Sequence, residues 1–470
     1  MTTSVGSIGP GVIGEAAWPV PVPAPVPGAS PAPAIRASSE SAPRSSATAT
    51  ATPLRAVVLV ANTADPYSRG LRIARSLVAA GYEVEIAAVT GRGVGAEERD
   101  GPIAIRRYRP TGRWAGWATE LPAGTRGRRW GPVGGLVQRA ARALAWPVHV
   151  RGWWAALRAE LPPADLYHAC GILSVGIALD LARDARRRGR CGRVIYDVID
   201  VILESNNYDA VPGPLLAFYK WRERRWMRRS DAIVTVNQPI ADHLAATWRS
   251  REPPTVLLNC QPRWTPPDPW PDLIRETTGI PNERSIVLFL GRLGRERGLE
   301  EAAEAVLRLD DAALVMLGFG PWADRLRERD SERRFRGHHY TLPPVHPDLV
   351  PAWTASADVS IIAVPANSLN QRLSTPNKFW ESLTAGTPVV VGRDLEVMRA
   401  IVEKDQLGSI ADPADPDDLA RGLREILDRE PERRAEVRAR CLAVTRTMYN
   451  WETAVVPYLE VVRSLADEDR

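Results

Sequence analysis

Two series of short apolar runs, each run bounded by turn residues, set the strongest limit on how this chain can fold. The first series is LRAVVLV (54–60), YEVEIAAV (82–89), DLYHAC (165–170), RVIYDVI (193–199) and DAIVTVN (231–237). The second is SIVLFLG (285–291), ALVMLGFG (313–320), VSIIAV (359–364) and TPVVVG (387–392). A strand with one wet face alternates apolar and polar residues, whereas a run that is apolar throughout fits a strand covered on both sides. Amphipathic stretches such as GLRIARSLVAAG, LEEAAEAVLRL, NKFWESLTA and DDLARGLREILD lie among the runs. Alternation of this kind predicts parallel sheets with helices on both faces. The proline-rich CQPRWTPPDPWPD separates the two series. The expected architecture is therefore α/β: two Rossmann-like domains, 53–260 and 285–450, joined by a hinge at 261–284, with a last helix at 451–470.

Two segments fall outside this pattern. Residues 1–52 are Pro-, Ala- and Ser-rich, offer neither a helical face nor enough N–H donors for a sheet, and read as a disordered tail. Residues 106–160 carry Arg126, Arg128, Arg129, Arg139, Arg142 and Arg151 among Trp114, Trp117, Trp130, Trp146, Trp153 and Trp154, with few acids. That mixture suits an anionic membrane surface, where indole sits at headgroup level and guanidinium meets phosphate. It equally suits a helix that packs its tryptophans on the sheet. The net charge of +5 over 470 residues permits an anionic partner without demanding one. No nucleic-acid module accompanies the charge, so nucleic acid is not expected. The scattered Cys170, Cys191, Cys260 and Cys441 form no CxxC pair, and no apolar run is long enough to cross a bilayer. With no secretory signal pattern at the start, the expected location is cytoplasmic, peripheral to the inner face of the cell membrane.

In open α/β sheets ligands collect beyond the carboxyl ends of the strands, and three motifs fall there. GRLGRERG follows the run 285–290: Gly291 lets the chain turn, and Arg292 and Arg297 flank a helix start near Gly298, a plausible diphosphate clamp. LGFGP follows the next run, where Gly318 and Gly320 permit unusual dihedrals or close approach and Pro321 presets a helical turn. In STPNKFWE, Ser374 or Thr375 is placed to cap a helix carrying Asn377, Lys378 and Glu381. Lys378 is one of three lysines in a chain that otherwise uses arginine. With Glu381 one turn later, it pairs a compact cation for phosphate with a carboxylate for ribose hydroxyls.

Taken in order, GRLGRERG, GFGP and ESLTAGTPVVV resemble the nucleotide-sugar-binding half of the family 4 glycosyltransferases, which have the GT-B fold. DPYSRGLRIARSLVAAGYEVEI is similar to that family's first helix and implies Asp65, Ser68, Arg69 and Gly70 on the acceptor side. The resemblance implies that Gly291, Arg292, Arg297, Gly318, Gly320, Pro321, Thr375, Asn377, Lys378 and Glu381 bind the donor. Three positions depart from the family's pattern. Arg297 stands where a lysine is usual. Leu373, eight residues before Glu381, stands where a second glutamate is common. His168 and Cys170 replace a His-x-His pair. The candidate catalytic groups are His168 and Asp200, with Glu204 near the same edge; each acid can also serve the fold.

The expected function is a retaining transfer of sugar from a UDP- or GDP-sugar to an acceptor, either lipid-linked or a cell-envelope polysaccharide glycan. No cofactor and no metal are expected, and Asp415 and Asp417 read as the start of a late helix. A nucleotide-sugar 2-epimerase of the same fold and a non-catalytic nucleotide-sugar-binding protein are the alternatives.

Overall fold

The computed structural model describes residues 53–468 apart from 66, 92, 112–149, 210 and 249–252. The tail expected at 1–52 therefore lies outside the described residues. So does most of the Arg/Trp segment, including Arg126, Arg128 and Arg129.

The first sheet has eight strands: β1 (Arg55–Val60), β2 (Glu83–Val89), β3 (Glu97–Asp100), β4 (Ile103–Tyr108), β5 (Leu166–Cys170), β6 (Arg193–Val198), β7 (Ala232–Thr235) and β8 (Thr255–Val256). Their order across the sheet is β3-β4-β2-β1-β5-β6-β7-β8, and every pairing is parallel except the β3/β4 hairpin. The second sheet has six: β9 (Ser285–Arg292), β10 (Ala312–Phe319), β11 (His339–Leu342), β12 (Val359–Ile362), β13 (Val389–Gly392) and β14 (Gly408–Ala411). Their order is β11-β10-β9-β12-β13-β14, all parallel. This is the expected pair of Rossmann-like sheets.

Alternate residues of each central strand enter opposite cores. Ala56, Val58 and Val60 of β1 pack under the helix Ser68–Ala79, while Val57 and Leu59 pack against the helix Ile172–Arg187. In β9, Val287 and Phe289 face the helix Leu299–Val306, and Ile286, Leu288 and Leu290 face Ile274 and Ile280. Both faces are thus apolar, which is why the runs in the sequence do not alternate.

The bounds of the Arg/Trp segment need correction. Arg106, Arg107 and Tyr108 complete β4, and residues 150–160 form a helix on the sheet. Trp153 is fully buried there, and its indole N–H donates to the Ala88 carbonyl at 3.0 Å. At this end of the segment the tryptophan is a core residue. The expected hinge also contains a helix, Leu273–Thr278.

The end of the chain returns to the first sheet. Asn450 caps the turn Trp451–Ala454, the Trp451 indole donates to Ser76 Oγ at 3.0 Å, and the helix Val456–Asp467 lays Tyr458 against His168.

Candidate functional site

Strand order reverses between β1 and β5 in the first sheet and between β9 and β12 in the second. At each reversal neighbouring connections leave toward opposite faces, so a crevice opens at the carboxyl edge. The two edges face each other. Asn377 Nδ2 donates to Ser68 Oγ at 3.1 Å, and Asn237 Nδ2 donates to the Leu373 carbonyl at 2.8 Å, both between the two sheets.

The rim of the second sheet is built by close backbone packing. Gly291, the last residue of β9 but one, has φ +109°, which side chains rarely tolerate. A Cβ on Gly298 would lie 1.7 Å from the Ala363 carbonyl oxygen, just past β12. Glycine there lets the 291–298 loop cross the reversal point and deliver Arg297 to the crevice. Lys378, on the helix Asn377–Thr384, sets its ammonium over the Phe289 ring, 4.1 Å from the centroid.

Four charges meet here without neutralising one another. Among the described residues, Arg292, Arg297, Lys378 and Glu381 have no hydrogen-bond or ion-pair partner for their side chains. Burial, then repulsion by Arg297, brings Lys378 down to about 7, with Glu381 resisting. Burial pushes Glu381 up to about 7, against the pull of Arg72 and Lys378. Burial and Arg292 also lower Arg297. Arg297 and Lys378 are held where their charges are costly, and an anion in the crevice would relieve both.

The edge of the first sheet is the opposite case. Arg69 donates both Nε and Nη2 to Asp197, at 2.7 and 2.8 Å, and Nη1 to the Leu257 carbonyl at 3.1 Å. His168 Nε2 lies 3.3 Å from Asp197, and its Nδ1 pairs with the Tyr458 hydroxyl at 3.1 Å. Burial opposes the Asp197 charge, but Arg69 beside it and the hydrogen bond from His168 hold it down at about 2. His168, Cys170 and Asp197 offer ligand atoms within 4.8 Å of one another. The set does not fit a metal, because Asp197 already accepts twice from Arg69 and a guanidinium at the site opposes a cation.

Several expectations change accordingly. His168 is fully buried and bonded on both ring nitrogens, so it fastens the last helix to the sheet and does not face the crevice. Arg69 is likewise consumed by Asp197. Gly70 admits Tyr67, whose ring lies 2.4 Å from where a Cβ would be. Asp65 is exposed in the turn ahead of that helix, and Ser68 faces Asn377. Gly318 and Gly320 do not open space for a ligand. A Cβ on either would strike the 291–293 turn, at Gly291 O (1.8 Å) and Leu293 O (2.2 Å), so they lock two strand ends together. Pro321 is exposed and precedes the cap of its helix, which is Trp322. Neither Ser374 nor Thr375 caps: Pro376 takes the cap position, Ser374 bonds back to Gln371, and Thr375 Oγ1 is buried without a partner. Leu373 is buried among residues of the first sheet's core, so this position presents no side chain to a donor.

Asp200 remains at the mouth. It is solvent-accessible yet closely surrounded, and burial raises its pKa while Asn370 and Arg297, both from the second domain, hold it down. Sequence reasoning missed Asn370, Arg72 and Asn259. Arg72 donates to Asn259 at 2.7 Å and Gln261 at 2.9 Å, and Asn259 donates to Asn377 at 2.7 Å. Arg72 had a signal, since it lies one turn past Ser68 and Arg69 on the helix face that looks at the sheet. Asn370 had none.

Residues 71–260 match the family model described as Glycosyltransferase Family 4, and residues 272–440 match that described as Glycosyl transferases group 1. The chain superposes on sucrose-phosphate synthase from Thermosynechococcus elongatus with a TM-score of 0.62 at 16% identity, covering 88% of this chain and 100% of that one. The chain is a GT-B glycosyltransferase of the family 4 type. Curated relatives are glycosyltransferases by name. A D-inositol 3-phosphate glycosyltransferase of Xylanimonas cellulosilytica is 28% identical over 254 residues, 51% of this chain and 58% of the relative. A GDP-mannose-dependent alpha-(1-6)-phosphatidylinositol monomannoside mannosyltransferase of Mycobacterium tuberculosis is 28% identical over 193 residues, 39% of this chain and 47% of the relative. The chain thus spans only about half the length of such relatives. As a family 4 protein it carries the GRL turn, the GxGP turn and the Lys378–Glu381 helix on one crevice, and it lacks the second glutamate.

Proposed function

We propose that the protein transfers a sugar, with retention of configuration, from a nucleoside-diphosphate sugar to an acceptor held on the first domain. The observation that carries this reading is the unpartnered set of Arg292, Arg297, Lys378 and Glu381 at the β9/β12 reversal. In this reading Arg297 and Lys378 bind the diphosphate, with Arg292 at the outer edge. They stabilise the charge that builds on it as the glycosidic bond breaks. Glu381 accepts the ribose hydroxyls. Asp200 faces this set from the acceptor side, positioned to orient or deprotonate an acceptor hydroxyl. Contacts such as Asn377–Ser68 hold the two edges together and exclude water, which favours transfer over hydrolysis. The acceptor is lipid-linked in this reading, in keeping with the phosphatidylinositol-linked substrate that one relative's name carries, and the protein works at an anionic membrane.

Incubation with UDP- and GDP-sugars, with and without lipid extract, tests it. Release of nucleoside diphosphate together with a glycosylated lipid is expected. Conversion of the donor into its 2-epimeric nucleotide sugar without acceptor would make the protein an epimerase, and binding without turnover would make it a non-catalytic binder.

A further inference from the structure

One helix of the first domain wears its residues inside out. Gly213–Met227 buries Tyr219, Glu223 and Met227 along one stripe, with Glu223 accepting from the Tyr196 hydroxyl at 2.6 Å. Its outer stripe carries Phe218 and Trp221, 45% and 55% exposed, their rings stacked with centroids 5.8 Å apart. Arg222 and Arg225 follow Phe218 at one and two turns and so share its face. The Arg225 guanidinium lies 5.9 Å from the Trp221 ring, and that of Arg222 lies 4.7 Å from Trp226. Arg228 and Arg229 carry the charge past the helix end, and both are exposed. Among the described residues, none of these four arginines has a carboxylate in ion-pair range. Of the acids on and beside this helix, Glu223 is buried, Glu204 pairs with Lys220 at 2.8 Å, Asp231 pairs with Arg186 and Arg193, and Asp209 stands exposed ahead of the helix start, thirteen residues before Arg222.

We propose that this face is a docking surface for an anionic lipid bilayer. Stacked aromatics with polar surroundings settle at headgroup depth, and arginines free of carboxylates pair with lipid phosphate. A helix that buries a glutamate and exposes a phenylalanine and a tryptophan is arranged for an apolar, negatively charged surround outside the protein. The face also adjoins the crevice. Lys220 of the same helix holds Glu204, four residues past Asp200, and Asn206 reaches Gln371 of the second domain at 3.5 Å. An acceptor head group could therefore enter from the bilayer beside Asp200. That last step rests on the transferase reading, whereas the docking does not.

The test is sedimentation of the full chain with vesicles of pure phosphatidylcholine and of phosphatidylcholine mixed with phosphatidylglycerol. The wild-type protein should pellet with the anionic vesicles and not with the neutral ones, less so as salt rises. A Phe218→Ser/Trp221→Ser pair and an Arg222→Glu/Arg225→Glu/Arg228→Glu triple should each lower the bound fraction at least tenfold. Melting temperature and nucleoside-diphosphate affinity should match the wild type in both. A wild-type protein that stays in the supernatant overturns the proposal. So do variants that pellet as before, and so does a serine pair whose only change is loss of self-association in analytical ultracentrifugation. Failure of the wild-type protein to bind nucleoside diphosphate would instead overturn the transferase reading and leave the vesicle result standing.

Discussion

Each sheet sets arginine and carboxylate side chains at its carboxyl edge, and the two sets are treated in opposite ways. On the first sheet Arg69 and Asp197 are nearly inaccessible and joined by two hydrogen bonds, with His168 and Tyr458 closing the network. On the second sheet Arg297, Lys378 and Glu381 sit around a crevice with their charges unmatched. The contrast separates structure from function. A buried charge that finds its partner within the fold is consumed by stability, and one left without a partner is kept for something that arrives. Sequence position alone does not distinguish them, because both sets follow apolar strands.

The largest effect should come from unpairing the first set. Asp197→Asn leaves Arg69 charged and buried, and should cost roughly 3–5 kcal/mol of folding stability, read by urea unfolding. A loss below about 1 kcal/mol would mean that the pair is not structural. The same kind of change on the second set should behave in the reverse way. Lys378→Met should leave stability equal or raise it, because the fold already penalises the ammonium, while nucleoside-diphosphate affinity falls roughly 10- to 150-fold. A destabilised protein with unchanged affinity would exchange the roles of the two edges.

Smaller effects sharpen the picture. Lys378 is lowered to about 7 and Glu381 raised to about 7. As pH rises above about 7 the free protein loses the ammonium, and diphosphate binding must take up a proton, so affinity should fall. As pH drops below about 7 Glu381 protonates and no longer accepts strongly from the ribose, so affinity should fall again. Binding should therefore peak near neutrality. Lys378→Met should flatten the alkaline arm and Glu381→Gln the acid arm. A monotonic profile in the wild-type protein would contradict the pairing. The linked effect on folding runs the other way, with these two groups costing most near neutrality, where binding is strongest. The lysine's lowered pKa disfavours folding below about 7 and is relieved toward its ordinary 10.5, while the glutamate's raised pKa disfavours folding above about 7 and is relieved toward 4.5. Smallest of all, Glu381→Gln should weaken ribonucleotides a few-fold to about tenfold and 2′-deoxyribonucleotides less. Equal losses would remove Glu381 from the ribose.

Much of this was legible in the sequence, for physical reasons. The continuous apolar runs fix strands buried on two faces, and they mark both sheets, including β1, β9 and their reversal partners. β3, β4, β8, β11 and β14 escaped: β3, β8, β11 and β14 are short, β3 is polar as well, and Arg106 and Arg107 break the apolar run in β4. The proposed donor-side residues were legible because Gly291, Arg292, Arg297 and Lys378 sit at fixed offsets from apolar strands. What a neighbouring strand or helix does to a residue was not. His168 looks available in DLYHAC until a helix nearly 300 residues later, carrying Tyr458, closes over it. Gly318 and Gly320 look like room for a ligand until the 291–293 turn fills it. Leu373 reads as a missing glutamate, and only the packed structure shows it used as a contact between the domains. The aromatic face of Gly213–Met227 was hidden for a related reason, since its buried stripe includes Glu223 and so breaks the usual apolar pattern.

We propose that the unmatched charges at the second edge exist to bind a nucleoside diphosphate. Isothermal titration of UDP and GDP into the wild-type protein and an Arg297→Met/Lys378→Met double variant tests it most directly, with thermal melts of both proteins alongside. At least one of the two nucleotides should bind the wild-type protein, binding should be lost in the variant, and the unliganded variant should melt at or above the wild-type temperature. Equal affinity in both proteins, or a variant that fails to bind because it no longer folds, would contradict it.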